Sequence, residues 1–138
     1  MVNVVQYPPP TGNRCWRLGQ AIRRAVQSYR GNERVIVFGT GGLSHQIHGE
    51  RAGLINTAWD HAFLDRLVND PSSAASIPHV EYLREAGAEG IEMVMWLVMR
   101  GALSGTVTEA YRASHVPTSN THNGILLLED HGGLAVRE

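Results

Sequence analysis

The chain has 138 residues, of which 43% are hydrophobic and 18% charged, enough for one globular domain with a moderate core. A formal net charge of -1 gives no reason to expect nucleic acid or an anionic membrane surface as a partner. All twelve basic residues are arginine, which excludes a lysine Schiff base and a P-loop lysine. Cys15 is the only cysteine, which excludes an internal disulfide and a cysteine zinc cluster.

No apolar run approaches the roughly 18 residues that a membrane span needs. The N-terminus also lacks the basic flank and apolar core of a signal peptide. We therefore expect a cytoplasmic protein without membrane association.

The first 40 residues predict a strand at 3–6, a helix and a second strand. Thr11 can cap the helix, and Gly31-Asn32 ends it. The apolar side chains of this helix recur on one face: Cys15, Leu18, Ile22, Val26 and Tyr29. The β-branched and aromatic run 35–38 then predicts a buried strand. A helix that leads into a strand is typical of α/β layers.

The glycine-rich stretch that follows this strand is the first candidate for a binding loop. Its sequence, 39–46, is GTGGLSHQ, and glycines let a backbone approach a ligand closely. Ligands of open α/β sheets bind outside the carboxyl ends of strands, and imidazoles titrate near neutral pH, so His45 is a candidate catalytic residue. The stretch is neither a Walker A motif nor GxGxxG. The alternative is a simple turn with a structural histidine.

The rest of the chain predicts three more helices and two strands. Asn56-Thr57 can cap a helix that Asp70-Pro71 ends. A short helix over 79–86 ends at Gly87, and the helix over 90–103 is apolar nearly all round, so it should be buried. Strands are predicted over 105–114 and 125–128, with three side chains of the first facing inward: Val107, Ala110 and Tyr111. Residues 130–138 read as a polar tail. The predicted fold class is α/β, a layered sheet with flanking helices.

Glu92 stands out because it lies in the first turn of that apolar helix. An isolated buried carboxylate is costly unless it is paired or bound to a metal. The alternative is a surface residue that compensates the helix dipole, or a partner for Arg84 or Arg100. No two histidines have HxH or HExxH spacing, so the sequence shows no complete metal site.

Five motifs together resemble a known family. They are GTGGLSHQ at 39–46, GERAGLIN at 49–56, AWDHAFLDRLVNDP at 58–71, REAGAEGIEMVMWL at 84–97 and HVPTSNT at 115–121. Their order and spacing closely resemble the class III extradiol ring-cleavage dioxygenases. The resemblance is to the C-terminal half of the catalytic β subunit of protocatechuate 4,5-dioxygenase and its gallate dioxygenase relatives, and it runs from about Asn3 to Leu128.

The resemblance implies an oxidoreductase of aromatic-compound catabolism that cleaves a carboxylated catechol, such as protocatechuate or gallate, with dioxygen. Fe(II) would be held by two histidines and a glutamate, with open positions for substrate and oxygen. Glu92 matches the glutamate ligand, and His45 matches a catalytic histidine that acts as general base and then acid. Ser119, in VPTSNT, matches a position near the carboxylate of the substrate. Arg51, in the second motif, could meet an anionic substrate, or pair with Glu50 or another acid on the surface.

The two iron-binding histidines of the family lie in its N-terminal half, upstream of anything in this chain. None of the remaining histidines matches them: His48, His61, His79, His115, His122 and His131. Residues 1–138 are therefore expected to be the C-terminal portion of a catalytic domain, a fragment or a separate subunit. Its partners would be the missing N-terminal half or a small α subunit, within an oligomer. The alternative is a non-catalytic structural or binding subunit that keeps the fold without a complete metal site.

Overall fold

The structure, a computed structural model, describes residues 7–132. Its helices are α1 (Gly12–Ser28), α2 (Thr57–Asn69), α3 (Pro71–Ala75), α4 (His79–Glu85), a 3-10 helix (Glu89–Met93) and α5 (Val94–Gly101). The strands β1 (Val107–His115) and β2 (Asn123–Asp130) form an antiparallel sheet. The predicted α/β class is confirmed. The predicted strand at 3–6 lies outside the described residues, as does most of the predicted tail.

Side-chain caps start α1 and α2 where the sequence predicts. The Thr11 hydroxyl accepts a hydrogen bond from the Arg14 amide at 3.3 Å, and the Asn56 side chain accepts one from the Trp59 amide at 3.2 Å. Each bond satisfies a backbone N–H that has no partner inside its helix. Asp70 caps α3 in the same way, by accepting from the Ser73 amide at 3.1 Å. No helix of the described residues is long and apolar enough to cross a membrane.

α5 is the buried helix of the core, as its sequence predicts. Four of its apolar side chains are at most 7% exposed: Val94, Trp96, Leu97 and Met99. The helix begins later than expected, because residues 89–93 form a tighter 3-10 turn. In that turn Gly90 packs against Ala86, where an added Cβ would lie 2.7 Å from the Ala86 Cβ.

α1 packs directly against α5 through glycines rather than through its predicted apolar face alone. Cys15 is buried at 1% exposure, but Tyr29 is 61% exposed. A Cβ added at Gly19 would collide with the Val98 carbonyl oxygen, and one added at Gly101 would collide with the Trp16 carbonyl oxygen. The two backbones therefore approach each other at a distance that only glycine permits.

The predicted strand at Val35–Phe38 is absent from the structure, so this expectation is wrong. The segment is extended but pairs with no other strand of the described residues, and Ile36 and Phe38 are 67% and 83% exposed. A strand requires a neighbour for its N–H and C=O groups. The segment passes over α5, where a Cβ added at Gly39 would lie 2.9 Å from the Met99 Cβ.

β1 and β2 form a hairpin whose register shifts between Glu109 and Tyr111. Ala110 and Tyr111 are exposed, in contrast to the predicted inward orientation, because the irregularity breaks the alternation of inward and outward side chains. On β2, Leu126 packs against the core. Its neighbours Ile125 and Leu127 are 61% and 55% exposed, so the other face of the hairpin is open.

We expect Gly19→Ala to lower the free energy of unfolding by about 2–3 kcal/mol, because the added methyl group overpacks a contact between two helix backbones. Gly105→Ala is the control, since a Cβ there meets nothing within 4 Å. The control should change the stability by no more than about 0.5 kcal/mol. Urea unfolding of the two variants measures both, and equal losses would contradict the described crossing of α1 and α5.

Candidate active site

The glycine-rich loop meets a carboxylate. The Gly42 amide donates a hydrogen bond to Oε1 of Glu92 at 2.5 Å, and the Trp96 indole donates to the Gly41 carbonyl at 3.1 Å. Gly41 has φ of 129°, a conformation that other residues rarely adopt. The glycines thus bring the backbone close to a carboxylate of the chain itself, while their approach to a ligand stays a prediction.

His45 is buried beside this carboxylate, at 5% exposure. Its Nδ1 lies 2.7 Å from the Leu43 carbonyl oxygen. A carbonyl can only accept, so Nδ1 carries a hydrogen and donates it. The other nitrogen, Nε2, lies 3.7 Å from Oε1 of Glu92, beyond hydrogen-bond distance. In the neutral ring Nε2 is therefore the nitrogen that can accept a proton.

Glu92 is only half-buried, with 32% of its side chain exposed. It lies between Gly42 and His45, in the 3-10 turn. Neither of the arginines proposed as its partners pairs with it. Arg84 pairs with Glu85 at 2.6 Å, and the buried Arg100 donates to the carbonyl oxygens of Leu67 and Ser104. The structure thus brings His45 and Glu92 together, while their chemical roles stay predictions.

A second carboxylate, that of Asp60, binds Ser44, the residue before His45, and was missed by the sequence analysis. It is fully buried in the first turn of α2. Its oxygens accept hydrogen bonds from the Ser44 amide at 2.9 Å, the Ser44 hydroxyl at 2.5 Å and Nδ1 of His122 at 2.6 Å. Asp60 lies in the first turn of its helix, as Glu92 does, but α2 also carries Asp65 and Arg66, so its sequence does not set Asp60 apart. Its partner His122 is 62 residues away and is not set apart either.

Ser119 lies in an exposed turn between the two strands, in which the Asn120 amide donates to the Pro117 carbonyl at 3.2 Å. The next part of this turn reaches the glycine-rich loop. A Cβ added at Gly42 would lie 2.6 Å from Cγ2 of Thr121. Ser119 is therefore two residues from a contact with the candidate site, and its role in substrate binding stays a prediction.

Arg51 neither pairs with Glu50 nor points freely toward the site. Its guanidinium donates to the carbonyl oxygens of Leu83 at 2.9 Å and Arg84 at 2.6 Å. These are carbonyls of the last turn of α4, so Arg51 caps that helix.

Within residues 7–132, no group of three or more histidine, cysteine, aspartate or glutamate side chains is placed to hold a metal ion. An iron site of the facial-triad type needs three protein ligands. Glu92 can supply one carboxylate, while Asp60 and His122 already bind each other. The described residues therefore fit part of such a site and not a whole one.

Two comparisons with known proteins both find similarity to dioxygenases. The family model of the catalytic LigB subunit of aromatic ring-opening dioxygenase matches residues 1–123. A gallate dioxygenase from Pseudomonas putida is 47% identical over 129 residues, which cover 94% of this chain and 38% of that relative. The chain thus spans well under half the length of this curated relative.

We expect Gly87→Ala to destabilise the protein more than Gly53→Ala. Both glycines have positive φ, 91° and 88°, so alanine is strained at either position, at a cost of about 1 kcal/mol. Only at Gly87 does the added Cβ also collide with the backbone of His45, which should bring the loss to at least about 2 kcal/mol. At Gly53 the nearest atom to the added Cβ is 3.9 Å away. Chemical unfolding measures the difference, and equal losses would mean that the backbone of His45 is not held against Gly87.

Proposed function

The chain belongs to the family of catalytic LigB subunits of aromatic ring-opening dioxygenases, and on that premise we propose that it forms part of an extradiol dioxygenase. The substrate in this proposal is a carboxylated catechol such as gallate or protocatechuate. The observation that carries the proposal is the proximity of His45 and Glu92, whose Nε2 and Oε1 lie 3.7 Å apart beside a glycine-rich loop. The similarity to a gallate dioxygenase supports the choice of substrate class.

Fe(II) is the metal that we propose, with Glu92 as one of its ligands. The chemistry that Fe(II) supplies in facial-triad enzymes is the coupling of an organic substrate with dioxygen. The other two ligands would be histidines outside these 138 residues, in the same polypeptide or in another subunit. Two observations support this: the relative is much longer than the chain, and Glu92 makes one hydrogen bond to the described residues, so its carboxylate keeps accepting capacity.

The open face next to the loop supports a partner there. The extended segment 34–41 and β2 line a groove over α5, and their exposed apolar side chains include Ile36, Phe38, Ile125 and Leu127. Large exposed apolar patches on soluble proteins mark sites of interaction. In our proposal the rest of the dioxygenase covers this face and offers the segment 35–38 a strand with which to pair.

His45 is the proton-transfer group in this mechanism. Its Nδ1 stays bound to the Leu43 carbonyl, which leaves Nε2 to take a proton from a hydroxyl group of the catechol. The same nitrogen returns the proton at a later step, so the histidine ends the reaction as it began. Burial of the ring keeps water from competing for the proton.

In the assembled enzyme, His45→Ala should retain iron and lower ring cleavage by about 10²–10⁴-fold, the usual contribution of a positioned acid–base group. Glu92→Gln should instead lose most of the bound iron, because a neutral amide is a weaker ligand for the metal than a carboxylate. Oxygen uptake on gallate and protocatechuate, with iron content measured on the same samples, separates the two roles.

Glu89→Gln is the matched control, since Glu89 lies in the same 3-10 turn and accepts from the Ile47 amide at 3.3 Å. It should keep both iron and turnover. Near-normal turnover of His45→Ala would contradict the proton-transfer role of His45. An unchanged iron content of Glu92→Gln would contradict the role of Glu92 as a ligand. An assembled enzyme that holds iron but cleaves no catechol would favour a structural or binding subunit instead.

Ser119→Ala tests the proposed contact with the carboxylate of the substrate. Loss of one hydrogen bond to a charged group costs about 1.5–3 kcal/mol, so KM for protocatechuate should rise by about tenfold or more. KM for catechol, which has no carboxylate, should change little. Equal effects on the two substrates would contradict the assignment.

A further inference from the structure

The carboxylate of Asp60 accepts three hydrogen bonds, all from buried groups of the described residues. Two of them come from Ser44 and one from His122. The Ser44 hydroxyl in turn accepts from the Asn56 amide at 2.7 Å. The network therefore joins the start of α2, the end of the glycine-rich loop and the residue just before β2.

This network converges on the backbone that holds the imidazole of His45. The Leu43 amide donates to the His122 carbonyl at 2.8 Å, and the His122 amide donates to the Ser44 carbonyl at 3.2 Å. Leu43 also provides the carbonyl oxygen to which Nδ1 of His45 donates. The acceptor that fixes the tautomer of His45 is thus attached to a backbone that the side chains of Asp60 and His122 hold in place.

A purely structural role would not require this chemistry. Replacing a buried hydrogen-bonded pair of this kind by well-packed apolar residues of similar volume is often neutral or stabilising. Its directional bonds can, however, fix the orientation of a neighbouring ring, as carboxylates do behind histidines in many sites.

We propose that Asp60, Ser44 and His122 are positioning residues that fix the backbone of residues 43–45, and so hold Nδ1 of His45 on the Leu43 carbonyl with Nε2 aimed at the site. The inference rests on the proposed function for its kinetic part, because proton transfer by His45 is what the orientation serves. The tautomer of His45 is a separate observable that does not depend on ring cleavage.

The experiment uses the assembled enzyme in three variants: Ser44→Ala, His122→Leu and His122→Asn. Ser44→Ala removes one hydroxyl, and His122→Leu removes the donor to Asp60. His122→Asn keeps a side-chain N–H near the position of Nδ1, so it is the conservative partner of the leucine variant. The iron-free enzyme is labelled with ¹⁵N-histidine, and the signals of His45 are assigned by their loss in His45→Ala. The iron-loaded enzyme is assayed for kcat and KM.

The unaltered enzyme should show the nitrogen shifts of the Nδ1–H tautomer at His45. Ser44→Ala and His122→Leu should shift these signals toward a mixture of tautomers. Both should lower kcat by about 10–100-fold, with KM changed by less than about twofold. His122→Asn should restore the single tautomer and bring kcat to within about threefold of the unaltered enzyme.

A folded Ser44→Ala enzyme with an unchanged tautomer and unchanged kcat would overturn the proposal, even if His122→Leu fails to fold. A His122→Asn enzyme that behaves like His122→Leu would also overturn it, because the donor to Asp60 would then be irrelevant. If the unaltered enzyme cleaves no catechol, the proposed function fails, while the nitrogen shifts still decide whether these residues position His45.

Discussion

The packing of α5 and its leading 3-10 turn holds Glu92 and the glycine-rich loop in place. α1 crosses α5 with its backbone in contact at Gly19. The glycine-rich loop passes over the other side of the helix and is held by the indole of Trp96. β2 passes near the same indole at Gly124, where an added Cβ would lie 3.5 Å from Cη2 of Trp96. Because interiors are close-packed, a shift of this one helix would displace the loop and the hairpin together.

The carboxylates of Asp60 and Glu92 differ in burial and in the number of hydrogen bonds that they accept. The carboxylate of Asp60 is fully buried, and its oxygens accept hydrogen bonds from three donors of the chain. Such an arrangement offsets the cost of burial and leaves little capacity for a ligand. Glu92 has one donor and keeps about a third of its side chain exposed. The difference in hydrogen bonding, rather than the residue type, suits the first to holding the backbone and the second to meeting a ligand.

The features that the sequence predicts well are those determined by neighbours along the chain. The caps at Thr11 and Asn56 and the burial of α5 depend on residues three or four positions apart, so the local sequence pattern is enough to predict them. The segment 35–38 has the composition of a strand, but pairing also needs a second segment, and none of residues 7–132 supplies one.

The candidate site divides in the same way. The motifs identified His45 and Glu92, and the structure places them side by side. The bond between Asp60 and His122 joins residues 62 positions apart, and no local pattern reports it. The exposure of Ala110 likewise depends on an irregular register between two strands, and the alternation of apolar and polar residues in one strand does not predict that irregularity.

The burial of Cys15 against the core has a consequence for the redox chemistry of the chain. Burial raises the pKa of this thiol to about 11, so at neutral pH it stays protonated. The thiolate is the form that reacts with peroxides and disulfides, and access decides the rest. The single thiol of these 138 residues is therefore held in its unreactive, protonated form and lies out of reach of oxidants in solution.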